Sequence, residues 1–252
     1  MLVTSLARDL YDSVAADRDP DPGAHYIRRR WLVGIFLVIG AVVLGISLRV
    51  EPGDAAFYPL TIGLAAVWIV GAFVSGPLRL GAFSPTPSRP PDRIGAIGLG
   101  VVVGLAVGGA FVVGGLVARM IPGVSDLANQ VLAFADFGSL AVVTAITMLN
   151  GLAEELFFRG AVQRALQALL TRPARPLLPS RAAAAVAIGV TTIAFVGLHA
   201  VPYGGAVPLG AVLAPLLVGV GAGVLTAATG RIAAGVVAHV LFNAAGIALL
   251  LV

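Results

Sequence analysis

Long apolar runs alternate along this chain with short polar stretches rich in proline and arginine. Apolar segments cover about 31–49, 56–78 and 94–118, then about 138–170, 182–199, 207–228 and 231–251. Each approaches or exceeds the roughly 20 residues a helix needs to cross the hydrocarbon core of a bilayer. A helix satisfies its own backbone hydrogen bonds in lipid, which an open strand cannot do. The pattern predicts an all-α integral membrane protein, a polytopic bundle of about seven transmembrane helices within a range of six to eight. Proline marks the breaks: "RVEPGD" ends the first run, "FSPTPSRPPDR" follows the second, and "TRPARPLLPSR" closes the fourth. Such segments cannot be helical throughout.

Two stretches are less regular. Residues 122–137 mix apolar and polar positions and carry Asp126 and Asp136, so 122–170 could form one long helix or two. Residues 1–30 are polar, with Leu2, Leu6, Leu10 and Val14 at a helical spacing of four. Residues 2–16 could therefore lie as an interfacial helix. The first apolar run starts only at Trp31, too late for the apolar core of a signal peptide. The expected organisation is a polar cytoplasmic arm over 1–30 and one transmembrane domain over 31–252. Gly100, Gly104 and Gly108, each four apart, predict a small-residue seam for close helix contact.

Composition sharpens this picture. The chain has 252 residues, 59% hydrophobic and only 11% charged. It has no cysteine, which removes disulfides and thiolate chemistry. All 16 basic residues are arginine, so no lysine can serve as a Schiff base or general base. The net charge of +4 calls for no nucleic-acid partner. The arginines flank the apolar runs, where they set topology and meet lipid headgroups, so membrane lipids are the expected contact. With the N-terminus inside, Arg28, Arg29, Arg30, Arg79, Arg89, Arg93, Arg172, Arg175, Arg181 and Arg231 all fall on the inner side. Arg49 and Arg119 fall outside. The expected location is the plasma membrane, with a cytoplasmic N-terminus.

The chemistry is concentrated in a few residues. Of three glutamates and three histidines, Glu51 and His25 lie in polar segments. Glu154, Glu155, His199 and His239 lie in or at the ends of apolar ones. An ionisable group at the bilayer centre costs at least about 2.5–3.5 kcal/mol, so four of them imply partners or a function. Residues four apart share a helix face. Glu155 can pair with Arg159 in one helix, while Glu154 points about 100° away. Phe195 and His199 share a second face, and His239 and Asn243 a third. Measured from helix ends at 170 and 182, Glu154 and His199 lie at similar depths of about 24 and 26 Å, whereas His239 lies only about 12 Å from Arg231. That mismatch calls for tilt, a kink or a shifted boundary.

Three short elements carry a family resemblance: "EELFFR" (154–159), "FVGLH" (195–199) and "HVLFN" (239–243). They resemble the motifs EExxxR, FxxxH and HxxxN/D of the CPBP intramembrane proteases, which include Rce1-type CAAX prenyl endopeptidases and the bacterial Abi proteins. The resemblance spans about 150–245 and implies a catalytic core over about 138–252. It implies hydrolysis of a peptide bond of a membrane-associated peptide or protein. By the family pattern, Glu154 activates water, His199 helps hold it, and His239 and Asn243 stabilise the oxyanion. Glu155, Arg159 and Phe195 orient the site. A buried donor set suits an oxyanion, since fixed dipoles act strongly at low dielectric.

A metal reading stands beside this one. Glu154, His199 and His239 resemble the His₂Glu ligand set of catalytic zinc sites, so Zn²⁺ is the cofactor a metallic site would take. No HExxH is present, and the glutamate-and-water reading is preferred. Plainer readings also exist. Glu155–Arg159 could be a structural lock, either histidine could be a packed core residue, and Asn150 could be a bend or a site-lining amide. Two other classes remain. One is a non-proteolytic scaffold or bacteriocin-immunity protein of the same fold. The other is a proton-coupled transporter, for which the chain shows no inverted repeat. The alanine- and arginine-rich composition points to a bacterium with a GC-rich genome, where prenylated substrates are less expected.

Overall fold

The computed structural model describes residues 26–50, 54–76, 78, 93–121, 140–171, 176–200, 207 and 209–249. The expected interfacial helix over 2–16, His25, Glu51, the acidic positions Asp126 and Asp136 and several loop arginines lie outside the described residues. The described residues form helices: α1 (Tyr26–Ser47), α2 (Phe57–Val74), α3 (Arg93–Arg119), α4 (Leu140–Phe157), a π-helical turn (Phe158–Gln163), α5 (Arg164–Leu170), α6 (Ser180–Ala200), α7 (Leu209–Thr229) and α8 (Ile232–Leu249). Seven segments are long and apolar enough to cross a membrane, α4, the π turn and α5 counting as one. The all-helical, polytopic expectation is met.

The segment boundaries follow local chemistry. Helix α1 begins at Tyr26, so the triplet Arg28–Arg30 rides on its first turns rather than preceding it. Arginine is a good helix former, and the nearest breakers, Pro22 and Gly23, lie further back. Helix α2 stops at Val74, four residues short of the expected 78. Gly76 adopts φ 141°, a value that side-chain-bearing residues rarely reach, and turns the chain away. The α7–α8 connection is equally tight. Gly230 at φ 66° returns its N–H to the carbonyl of Thr226 at 2.9 Å, the left-handed close of a helix end.

Large apolar side chains point outward all round the bundle, Ile94 at 81% and Ile193 at 74% exposure among them. In water such a surface would aggregate; in lipid it is the solvated face. Inside, small residues set the spacing. A Cβ on Gly100 would meet the Ala234 carbonyl at 2.5 Å, one on Gly104 the Ala238 Cα at 2.8 Å, and one on Gly108 the Ala245 Cβ at 2.9 Å. The expected glycine seam therefore packs α3 against α8, and the paired numbers rise together, so the two helices run parallel. Helix α4 runs antiparallel to α8. A Cβ on Gly160 would meet Ile232, one on Gly235 would meet Glu155, and one on Gly151 would meet Asn243.

That register removes the depth mismatch. Gly160, not residue 170, sits level with the start of α8. From that level Glu154 lies about 9 Å along α4 and His239 about 10 Å along α8. Residues 161–170 extend past this level and turn into α6 through bonds from the N–H groups of Leu177 and Leu178 to the Leu170 carbonyl. Over 140–170 the chain is a single continuous run with a π turn inside it, and the remainder of the 122–170 stretch lies outside the described residues. That turn is held from outside: Arg29 of α1 donates to the Gly160 carbonyl at 3.2 Å and to Ser75 Oγ at 3.3 Å. An aromatic cluster packs around it. Trp68 stacks on Phe157 at 4.7 Å, Phe158 lies edge-on to Phe157 at 5.4 Å, and Phe195 meets Phe158 at 4.9 Å.

Candidate active site

Three helices bring the polar residues together just above this cluster. Glu155 and Arg159, one turn apart, form an ion pair at 3.1 Å with both side chains buried. The guanidinium also donates to the carbonyls of Val218 and Gly219 in α7, each at 3.2 Å, and lies over the Phe195 ring at 5.2 Å. One turn on, Gln163 donates to the Gly223 carbonyl at 3.1 Å. Arg159 and Gln163 thus reach α7 carbonyls at matching intervals, which locks α4 and the π turn to α7.

The other oxygen of Glu155 serves α8. His239 Nδ1 lies 2.9 Å from Glu155 Oε1. A carboxylate accepts, so Nδ1 carries the proton and Nε2 is the free atom of the neutral ring. His199 is held the same way, its Nδ1 donating to the Phe195 carbonyl at 2.8 Å. Both free Nε2 atoms face Glu154. His199 Nε2 is 3.8 Å from Glu154 Oε1, and His239 Nε2 is 3.8 Å from Glu154 Oε2. These separations exceed a direct hydrogen bond and suit bridging by water. The chain of contacts therefore runs Arg159–Glu155–His239, then across two gaps at Glu154 to His199.

Asn243, one turn beyond His239, donates from Nδ2 to the Thr147 carbonyl of α4 at 3.3 Å. Gly151 makes room for it: a Cβ there would stand 2.7 Å from Asn243 Nδ2. Asn150 donates to the Ile146 carbonyl at 3.0 Å, while its Oδ1 is buried without a partner. A cavity of about 400 Å³ joins these groups. Glu154, His199, His239, Asn243, Asn150 and Gly151 line its polar part, and side chains of α1, α2 and α7 line the rest together with further residues of α4, α6 and α8.

All seven site residues expected from the sequence meet in this one region. The Glu155–Arg159 pair and the packing of Phe195 beneath His199, ring centroids 4.6 Å apart, are as expected. The bond from Glu155 to His239 is new, and it makes Glu155 a bridge between two helices rather than a partner of Arg159 alone. Gly151, Gln163 and the α7 carbonyls also escaped the sequence reading. Asn150, four residues before Glu154 and so on its face, takes the site-lining alternative.

The metal reading meets an obstacle. The donors have the chemistry of a zinc site, and each imidazole is oriented by an acceptor on Nδ1 as metal-bound histidines are. Among the described residues, no group of three or more His, Cys, Asp or Glu side chains is drawn together closely enough to hold a metal ion.

Comparison with known proteins points the same way as the motifs. Residues 136–245 match the family described as Type II CAAX prenyl endopeptidase, Rce1-like. No curated protein and no solved structure matches the chain. The matched stretch holds all of these polar site residues, from Asn150 to Asn243, and the family implies a membrane endopeptidase. Through residues 136–245, the chain is similar to the Rce1-like type II CAAX prenyl endopeptidase family.

Proposed function

We propose that the protein is an intramembrane endopeptidase in which Glu154 activates water without a metal. The observation that supports this is the pair of 3.8 Å gaps on either side of Glu154, at the floor of a cavity large enough for a peptide segment. A water in those gaps donates to the carboxylate and to an imidazole Nε2. It attacks the scissile carbonyl carbon as Glu154 takes its proton. The new C–O bond places negative charge on the carbonyl oxygen. Asn243 Nδ2–H is a donor for that charge, and His239 is a second once Nε2 has taken up a proton from solvent before the attack. Collapse of the intermediate breaks the C–N bond, and Glu154 returns the proton to the leaving amine. Glu155 and Arg159 hold His239 and α7 in place, and Phe195 fixes the ring of His199. The substrate is a membrane-associated peptide or protein, and the N-terminus faces the cytoplasm of a plasma membrane, as the arginine distribution supports.

The test compares membranes from cells expressing wild type and Glu154→Gln, by mass spectrometry of newly formed peptide ends. Ends that appear only with wild type establish proteolysis and identify substrates. Equal end profiles, with both proteins folded and equally abundant, would sink the reading and favour a non-proteolytic scaffold or immunity role.

A further inference from the structure

The cavity is polarised along the bundle. From α1 it takes only Leu44, Ser47 and Leu48, at the helix end, and from α2 only Phe57, Thr61 and Leu64, at the helix start. From α6 it takes only Phe195 and His199, within the last six residues. The α4 lining begins at Val143, near the start of that helix. All these positions share one end of the bundle, the end where α1 and α6 finish and α2, α4 and α7 begin.

The opposite end is sealed. Trp68, Phe157, Phe158, Arg159 and Gln163 are essentially inaccessible, and Arg29, Ser75 and Gly160 are bonded beneath them. On the cavity side burial relaxes: Phe57, Thr61, Val143, Thr147 and Asn243 are half-buried, and the His199 side chain is 27% exposed. Among the described residues, Glu154 is therefore open to water and a polypeptide from the first end.

Arginine distribution gives that end a side. The sealed end carries Arg28, Arg29 and Arg30 at the start of α1, Arg164 beyond the π turn, Arg181 at the start of α6, and Arg231 at the start of α8. The open end carries Arg49 and Arg119. Arginine-rich ends stay on the cytoplasmic side. We infer that the site opens to the extracytoplasmic face, so the substrate is the outer, non-cytoplasmic part of a membrane-associated polypeptide. The substrate class rests on the peptidase reading above; the side of access does not.

The chain contains no cysteine, so single substitutions report cleanly. Three variants are made in the full chain. Asp54→Cys marks the open end, Leu177→Cys, at an exposed position beside α5, marks the sealed end, and Thr61→Cys reports the cavity wall. Each is treated with a sulfonated, membrane-impermeant maleimide in right-side-out and in inverted vesicles. The expected result is labelling of Asp54→Cys and Thr61→Cys from outside only, and of Leu177→Cys from inside only. Three outcomes overturn the inference. Thr61→Cys labelling together with Leu177→Cys would place the opening at the other end. Asp54→Cys and Thr61→Cys both labelling from inside would put the open end in the cytoplasm. Thr61→Cys labelling in detergent but from neither side would mean a cavity closed to water. Since labelling needs no catalysis, a failure of the peptidase reading would leave this result intact and would show separately as unchanged peptide ends with Glu154→Gln.

Discussion

Adding one methyl group to Gly151 separates stability from catalysis. A new Cβ would stand 2.7 Å from Asn243 Nδ2, and ordinary contact begins near 3.4 Å, so the amide must retreat by about 0.7 Å. It has room, because Asn243 lines the cavity. Its bond to the Thr147 carbonyl, already 3.3 Å long, is what it loses. In exchange α4 gains alanine for glycine in mid-helix, worth about 0.8–1.0 kcal/mol. Catalysis should move the other way. Removing one oxyanion donor costs roughly 10²–10³ in kcat, and a displacement near 1 Å can cost about 10². Gly151→Ala should therefore lose about 10²-fold in kcat while its unfolding temperature in detergent holds or rises. The assay is cleavage of a peptide drawn from the wild-type-specific ends, with KM and kcat measured separately. A double-mutant cycle makes it decisive. In an Asn243→Ala background Gly151→Ala should cost almost nothing further. Equal losses in both backgrounds, or wild-type kcat in a folded Gly151→Ala protein, would refute the role given to Asn243.

Other expectations follow from the same contacts. Arg159→Ala leaves Glu155 as an uncompensated buried charge and should destabilise by about 3–5 kcal/mol, read from thermal unfolding in micelles. Arg159→Lys keeps the charge but loses the fork that spans Glu155, Val218 and Gly219, so it should fall between alanine and wild type; an alanine variant as stable as wild type would contradict this account. Gly104→Ala should loosen the α3–α8 seam at a cost of about 1–3 kcal/mol, whereas Gly98→Ala, where a Cβ meets nothing within 4 Å, should be neutral or slightly stabilising. Exhaustive chelation should leave cleavage unchanged; loss of activity restored by zinc would show that the donors around Glu154 rearrange to bind a metal.

The spans were legible because lipid leaves a polypeptide few choices, and uninterrupted apolar runs announce themselves. Glu154, His199, His239 and Asn243 were legible because each interrupts such a run at a cost. Glu155 and Arg159 were legible as a pair because their spacing is local. What could not be read was anything set by helix register. The bond from Glu155 to His239 depends on Gly160 standing level with Ile232, and no local pattern encodes that. The π turn was equally silent, since the contacts that hold it run to other helices: Arg29 of α1 reaches Gly160, and Gln163 reaches Gly223 of α7. Gly151 matters only through what occupies the space beside it.

The cavity wall has one more consequence. Its ionisable groups come from α4, α6 and α8, within residues 136–245, whereas Leu44, Ser47, Phe57 and Thr61 come from the first two helices, outside that stretch. The wall is thus shared: all of its ionisable groups come from one stretch of polypeptide, and part of its apolar lining comes from another. On the peptidase reading proposed above, a lineage could alter that outlying part of the wall in two apolar helices and leave the ionisable groups untouched. The reverse freedom is limited, because Arg29 ties the first helix to the turn beside Glu154 and Glu155. The first two helices can change their lining, but they cannot be discarded.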